Sequence, residues 1–499
     1  MLPKHRPTFR PGFDNLDGRI LLSASPLIPA QIRQAYSENF NFNVNGHSYA
    51  ATGAGQTIAI IDAGLDPYIN NDLATFDQTF GLAAPPSFQR VYFQGAQNNE
   101  SANWIEETSL DVEWAHAVAP GANILLVQAA SSNPSDYAIA INWARQQPGV
   151  SVVSMSYAMP ESVAYTAYNG IFTTPAGHTG VTFVASSGDS GYFNSHQGNQ
   201  IGVQWPADDP NVLSVGGTTL STTANGTYLG ESAWNLNYEG SNGWWGSSGG
   251  LSRVYAEPSY QKGVQQTGLR TVPDVSYDAD PNSGVNVYDS LAGGWVDVGG
   301  TSAGAPQWAG LIAEVNQGRA LAGLNPLDGP SQTLPGIYAF SSALHDVTTG
   351  SNGYSATKGY DLATGLGTPI AYQLVGDLTF HVPSNYLPAN SMAAVASQSL
   401  PAGGQSSTAV TPLLSVAGSS VQARPGIDAA VHTRTTDSST QEPLLIGLAP
   451  TSPTQSIGRR HDHLDRALGS LMEDDLAFLM SRSLGSDRPP GPPQRCTPG

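Results

Sequence analysis

Four short runs of apolar, β-rich residues limit this chain most: 57–62 (TIAIID), 123–127 (NILLV), 152–156 (VVSMS) and 181–185 (VTFVA). None alternates apolar with polar, so each predicts a strand buried on both faces. Stretches of helical character lie between several of them, notably 107–118 and 136–145. Strands and helices in that order predict an α/β fold: a mostly parallel central sheet with helices on both faces. In such sheets the functional loops gather at the carboxyl ends of the strands.

Composition sharpens the boundaries. Hydrophobic residues make up 40% of the 499, enough for a sizeable core, whereas charged residues make up only 12%. The formal net charge is −19. A surface that acidic repels phosphate backbones and anionic lipids, which argues against a nucleic-acid partner. The single cysteine, Cys496, allows no intrachain disulfide and no cysteine-based metal site. No apolar run reaches the roughly 18 residues a membrane-spanning helix needs. Residues 1–27 read as a basic leader. Within it, residues 16–22 (LDGRILL) resemble the L-E-x-R-x-L-L motif that opens many large exported bacterial proteins, with Asp in place of Glu. The expected location is therefore extracellular or in the cell envelope. The folded domain is expected over 28–380. Beyond it Ala, Ser, Thr, Gln and Pro dominate and aromatics nearly vanish, which predicts a disordered tail over 381–499. One exception is a short amphipathic helix expected near 464–480, where Leu464, Leu468, Leu471, Met472 and Leu479 recur at helical spacing.

Three segments carry chemistry. The first is Glu107-Thr-Ser-Leu-Asp111. Residues four apart on a helix share a face, and two carboxylates there repel unless they share a proton, which raises one pKa. Such a pair accepts protons at acidic pH, where imidazole is already protonated. An acidic, solvated helix face would carry the same two residues. The second is Gly299-Gly-Thr-Ser302-Ala-Gly-Ala-Pro306, followed by an apolar helical run. A serine at a helix start has an exposed hydroxyl and an unpaired N–H, free to bind a developing oxyanion. Equally, Ser or Thr is the usual helix cap. The third is Ser186-Ser-Gly-Asp189-Ser-Gly, directly after a predicted strand. Asp189 there caps a turn or, kept protonated, donates a hydrogen bond to an oxyanion.

Together, in order, E-x-x-x-D, S-S-G-D and G-T-S-A-x-x-P resemble the motifs of the sedolisin family of serine-carboxyl peptidases, which share the subtilisin fold. Residues 247–252 (SSGGLS) and 272–281 (VPDVSYDADP) add family-like text, and the likeness spans roughly 28–380. The resemblance implies a serine peptidase, endopeptidase or tripeptidyl-peptidase, acting on polypeptides at acidic pH as a monomer. Ser302 would be the nucleophile, Glu107 its general base and acid, Asp111 the partner orienting Glu107, and Asp189 an oxyanion donor. Substrate would lie extended against Ser154, Ser156 and Tyr157 on one side and Ser248, Gly249 and Gly250 on the other. It also implies one structural calcium ion, held by Asp346, Val347, Thr357, Gly359 and Asp361. Thr357 stands where many relatives carry glycine, and the loop after Asp346 looks short. The family usually has a long propeptide, for which the text from Pro29 onward leaves no room. Two competing readings are an ordinary subtilisin-type enzyme using Asp62 and His116, and a catalytically silent binding protein on the same fold. The first lacks the H-G-T-H signature, and its His116 falls within the helix that carries Glu107 and Asp111.

Overall fold

The structure, a computed structural model, describes residues 26–44, 46–96, 101–192, 203–237, 244–380 and 444–446. Its centre is a nine-stranded sheet. In chain order the strands are β1 (Thr57–Ala63), β2 (Phe88–Phe93), β3 (Asn123–Ala129), β4 (Val150–Met155), β5 (Thr182–Ser186), β6 (Val212–Thr222), β7 (Tyr228–Ala233), β8 (Val275–Asp278) and β9 (Leu444–Ile446). Across the sheet they run β7-β6-β5-β4-β1-β3-β2-β9, with β8 branching from β6. Only β7 is antiparallel to its neighbour; the other pairs are parallel. The mostly parallel α/β sheet expected from the sequence is therefore the observed one.

Strand β1 shows why. Ile58, Ala59, Ile60 and Ile61 are all fully buried. Alternate side chains face opposite ways, so Ile58 and Ile60 join one apolar core while Ala59 and Ile61 join the other. Each fully buried isoleucine contributes about 1.5–3 kcal/mol. The first core also takes Leu110 and Trp114 of α2 (Ala102–Val118) and Trp308 and Ile312 of α4 (Thr301–Leu321). The second takes Tyr137 and Ile141 of α3 (Pro134–Ala144). On the outer side of α2 lies α1 (Ile69–Phe80). Apart from Ser302, α4 is buried from Thr301 through Arg319, which explains its lack of a polar face.

Two boundaries differ from the sequence reading. Helix α2 starts earlier, at Ala102, because the Ser101 hydroxyl caps it by accepting from the Trp104 amide at 3.3 Å. The ordered fold reaches back to Leu27, whose N–H donates to the Gly284 carbonyl at 2.7 Å. In the tail, residues 444–446 form β9, which pairs with β2; the rest of the segment read as a tail lies outside the described residues. The leader motif at 16–22 and the helix expected near 464–480 lie outside the described residues.

Candidate active site

Strands β5, β4 and β1 are neighbours, so their carboxyl ends bring three loops together. Asp62 is the last residue but one of β1, Ser156 and Tyr157 follow β4, and Asp189 lies three residues beyond β5. Helices α2 and α4 pack together against this end and supply Glu107, Asp111 and Ser302. The result is a cleft of about 410 Å³ lined on its working side by Glu107, Ser156, Tyr157, Asp189 and Ser302. Trp104 and Gln204 complete its walls. No histidine, lysine or arginine is among the described residues that line it.

Ser302 is half-buried, the second residue of α4. Gly300 precedes the helix with φ +99°, a left-handed conformation that glycine adopts freely. A Cβ there would also stand 2.9 Å from Oδ2 of Asp189. Pro306 has no N–H to give the Ser302 carbonyl four residues back. That carbonyl instead accepts from the Ser156 hydroxyl at 3.3 Å, tying the loop after β4 to the turn that carries Ser302.

Asp189 is held from one side. Its Oδ1 accepts from the Thr301 amide and the Thr301 hydroxyl, both at 2.8 Å, and the same hydroxyl accepts from the Gly188 amide at 3.0 Å. Burial raises its pKa, against these two bonds, which lower it. A proton therefore stays longest on Oδ2, the oxygen that receives nothing from Thr301.

Asp62, Glu107 and Asp111 form a buried carboxyl chain. Both oxygens of Asp62 and Asp111, and Oε1 of Glu107, are sealed from solvent, and the hydroxyls of Thr108, Ser156 and Ser302 favour the ionised forms of Asp62, Asp111 and Glu107 in turn. Burial is the largest cause raising all three pKa values. Mutual repulsion adds to it: Asp62 and Glu107 push up Asp111, and Asp62 and Asp189 push up Glu107. Asp62 is pushed up to about 7. Carboxyls this close cannot all ionise, so the chain holds protons well above the ordinary carboxylate range.

The other expected residues fall in different places. Ser154 lies one pleat deeper than Ser156, buried, and does not line the cleft. Ser248, Gly249 and Gly250 do not line it either. Ser248 sits behind the Asp189 loop, its N–H donating to Gly188 O at 2.8 Å and its hydroxyl accepting from Ser190 N at 3.0 Å. Gly249 presses so closely on the Leu362 carbonyl that a Cβ would clash at 1.9 Å. His116 faces away: it is fully buried, with Nε2 3.2 Å from Asp77 on α1 and 2.9 Å from the Ala83 carbonyl. Trp104, Gln204 and Thr301 were not singled out from the sequence. Trp104 was findable, since it lies three residues before Glu107 and so on the same helix face.

Four of the five residues expected to hold calcium are joined in two pairs. The Gly359 N–H donates to both oxygens of Asp346 (3.1 and 3.0 Å). The Thr357 N–H donates to Asp361 Oδ2 at 2.7 Å. Among the described residues no three His, Cys, Asp or Glu side chains come together as a metal site. This pair of loops has two carboxylates, and the carbonyls of Val347, Thr357 and Gly359 would have to supply the rest. An all-oxygen donor set suits a hard cation in kind.

The chain is similar to known proteins. Residues 53–328 match the Subtilase family. Kumamolisin of Bacillus sp. (strain MN-32) is 36% identical over 349 residues, which are 65% of this chain and 60% of that protein. Sedolisin of Pseudomonas sp. (strain 101) is 32% identical over 363 residues, 69% of this chain and 60% of that one. The solved structure of Pseudomonas sedolisin, a serine-carboxyl proteinase complexed with two molecules of pseudo-iodotyrostatin, has a TM-score of 0.62 at 29% identity. That likeness covers 72% of this chain and 99% of the solved one. The chain spans about 60% of the length of these two curated relatives. With the match covering more than half of the sequence and the buried carboxyl chain beside Ser302, the chain belongs to the subtilase family, on its sedolisin branch.

Proposed function

We propose that this chain is a serine-carboxyl peptidase that hydrolyses polypeptides in acid. The observation that carries the reading is that Ser302, Glu107 and Asp189 line one cleft with no histidine among its lining residues. Ser302 Oγ attacks the scissile carbonyl carbon while its proton passes to the Glu107 carboxylate. The tetrahedral oxyanion takes hydrogen bonds from the Ser302 N–H and from the proton on Asp189 Oδ2. Glu107 then gives its proton to the leaving amine, and water repeats the sequence on the acyl ester. Asp111, four residues on along α2, shares the proton that keeps Glu107 oriented.

Both Asp189 and the carboxyl chain must hold protons for this to run, so the activity has an acid optimum. The substrate lies extended along Ser156 and Tyr157, and the acidic cleft, with no cation among its described lining residues, disfavours acidic side chains next to the cleaved bond. The protein acts outside the cytoplasm as a monomer, in keeping with the export-type motif. No helix among the described residues is long and apolar enough to cross a membrane. Asp346 and Asp361, with the carbonyls of Val347, Thr357 and Gly359, would hold one calcium ion that stiffens their two loops.

The test is turnover of a denatured protein at about pH 4 by the purified chain and by Ser302→Ala and Glu107→Gln. A loss in kcat of about a thousandfold or more is expected for each. His116→Ala retains kcat in the fraction that folds. Equal rates for the chain and Ser302→Ala would leave a silent binding protein; loss confined to His116→Ala would restore the histidine mechanism.

A further inference from the structure

Arg33 stands on the short helix Pro29–Ala35, upstream of every described residue that lines the cleft. Its guanidinium grips α2 at the end opposite Glu107. Nη1 donates to the Ala117 carbonyl at 3.1 Å and also to the carbonyl of Val118, the last residue of the helix. In its last turn a helix has no N–H left to offer such carbonyls, and a cation there meets the negative end of the helix dipole. Two further bonds fix the guanidinium plane: Nε donates to Asn39 Oδ1 at 3.1 Å and Nη2 to the Glu38 carbonyl at 3.0 Å. Nη2 also lies 3.9 Å from Oε1 of Glu314 on α4. Glu314 is fully buried. Burial raises its pKa against the pull of Arg33, so in acid the two α2 carbonyls carry most of the hold.

The base from which Arg33 reaches is firmly seated. Ile32 and Ala35 of the short helix join the same core as Leu110 and Trp308. The Tyr36 hydroxyl donates to Glu231 on β7 at 2.7 Å, and the Tyr277 hydroxyl on β8 donates to Glu38 at 2.6 Å. Arg33 thus pins the end of α2 to the main sheet. At that same end α2 presses on α4: a Cβ on Gly310 would stand 2.8 Å from Val118 and 3.4 Å from the Ala115 carbonyl. From Ala115 back to Glu107 is eight residues, or about 12 Å of helix. A tilt of about 5° at this joint carries Glu107 through about 1 Å relative to Ser302, and a displacement of that size can cost about a hundredfold in rate.

We propose that Arg33 is a positioning residue for the helix that carries the acid–base pair: by holding the Ala117 and Val118 carbonyls at the Gly310 joint, it sets the angle between α2 and α4 and with it the reach from Glu107 to Ser302. The inference rests on the serine-carboxyl reading. It extends that reading to a residue outside the cleft, at the far end of the helix.

The experiment compares the full chain with Arg33→Met and Arg33→Lys, and uses Ser302→Ala as the blank. Competent sites are counted from the burst of an acylating active-site titrant, so that kcat refers to folded enzyme alone. Then kcat and KM are measured on one peptide at about pH 4. Arg33→Met is expected to lower kcat per titrated site roughly tenfold, with KM within about twofold of the parent. Arg33→Lys keeps the charge without the planar fork, and its kcat should fall between those of the parent and Arg33→Met. A role confined to stability would lower the melting temperature and the number of competent sites, but leave kcat per site at the parent value. That result in Arg33→Met, or in Arg33→Lys where the methionine variant does not fold, overturns the inference while the serine-carboxyl reading stands. A raised KM with unchanged kcat does the same. A parent no faster than Ser302→Ala overturns both.

Discussion

Thr301 grips Asp189 twice, its amide and its hydroxyl each 2.8 Å from the same carboxyl oxygen, immediately before Ser302, the proposed nucleophile. The residue that starts helix α4 thus also fixes the side chain facing it across the cleft. Thr301→Val keeps the shape and the amide bond but deletes the hydroxyl, stranding the Gly188 N–H as well. Each lost bond is worth about 0.5–1.5 kcal/mol. A fall in kcat of about tenfold is expected, with KM less affected; an unchanged kcat would remove Asp189 from the oxyanion site.

Gly300→Ala should be harsher on activity than on folding. The φ of +99° strains any side chain, at a cost of about 1–2 kcal/mol, and the new methyl lands 2.9 Å from Asp189 Oδ2. Turnover should drop by about two orders of magnitude while the melting temperature falls by only a few degrees. Equal damage to both would show that Oδ2 has no chemical task.

Stability should fall as pH rises. Asp62, Asp66 and Asp209 are each pushed up to about 7, burial being the largest cause. An unfolded aspartate titrates near about 3.9. The folded state therefore binds more protons between these values, and the stabilisation is complete below about pH 4 and lost through about pH 7. Melting temperatures measured from acid to neutral should decline across that window, and Asp62→Asn should flatten the decline and reshape the activity profile. A melting temperature that climbs towards neutrality would contradict the sign.

Calcium should stabilise without entering the chemistry. Chelation is expected to lower the melting temperature of the parent, and Asp346→Asn or Asp361→Asn should abolish that response. Kinetic constants in the folded fraction should change little. Melting curves indifferent to both chelator and added calcium would leave the two loops as a backbone-capped turn cluster.

The buried pair Arg270–Asp274 offers a control far from the serine. Both residues are fully buried, with Arg270 Nη2 2.7 Å from Asp274 Oδ2. Asp274 also takes bonds from the Ser214 amide and the Tyr338 hydroxyl. Arg270→Met leaves that carboxylate without its cation and should cost about 3–5 kcal/mol in urea unfolding. Removing both charges together should cost less than the single change.

The parts of this fold that could be read from residues alone were those written in local pattern. β1, β3, β4 and β5 were visible because each is an unbroken apolar run, and Ser302 because glycine and proline frame it. Burial partners are not local. Nothing near Tyr137 in the chain says that its ring will stack on Tyr157, 20 positions on, or that its hydroxyl will be sealed from solvent. Nothing in Ser247-Ser-Gly-Gly says which side of the Asp189 loop it takes; the close approach of Gly249 to Leu362 decides that. Strand β2 (FQRVYF) was missed because Gln89 and Arg90 break its apolar run at the rim of the sheet.

The pairing of Leu444–Ile446 with Val91–Phe93 has a use unrelated to hydrolysis. Outermost strands carry free amides and carbonyls that invite a second molecule to add on. Here a segment far downstream in the same polypeptide already occupies that row. The outermost row on this flank is thereby only three residues long, and displacing those three residues would unmask the longer row of β2.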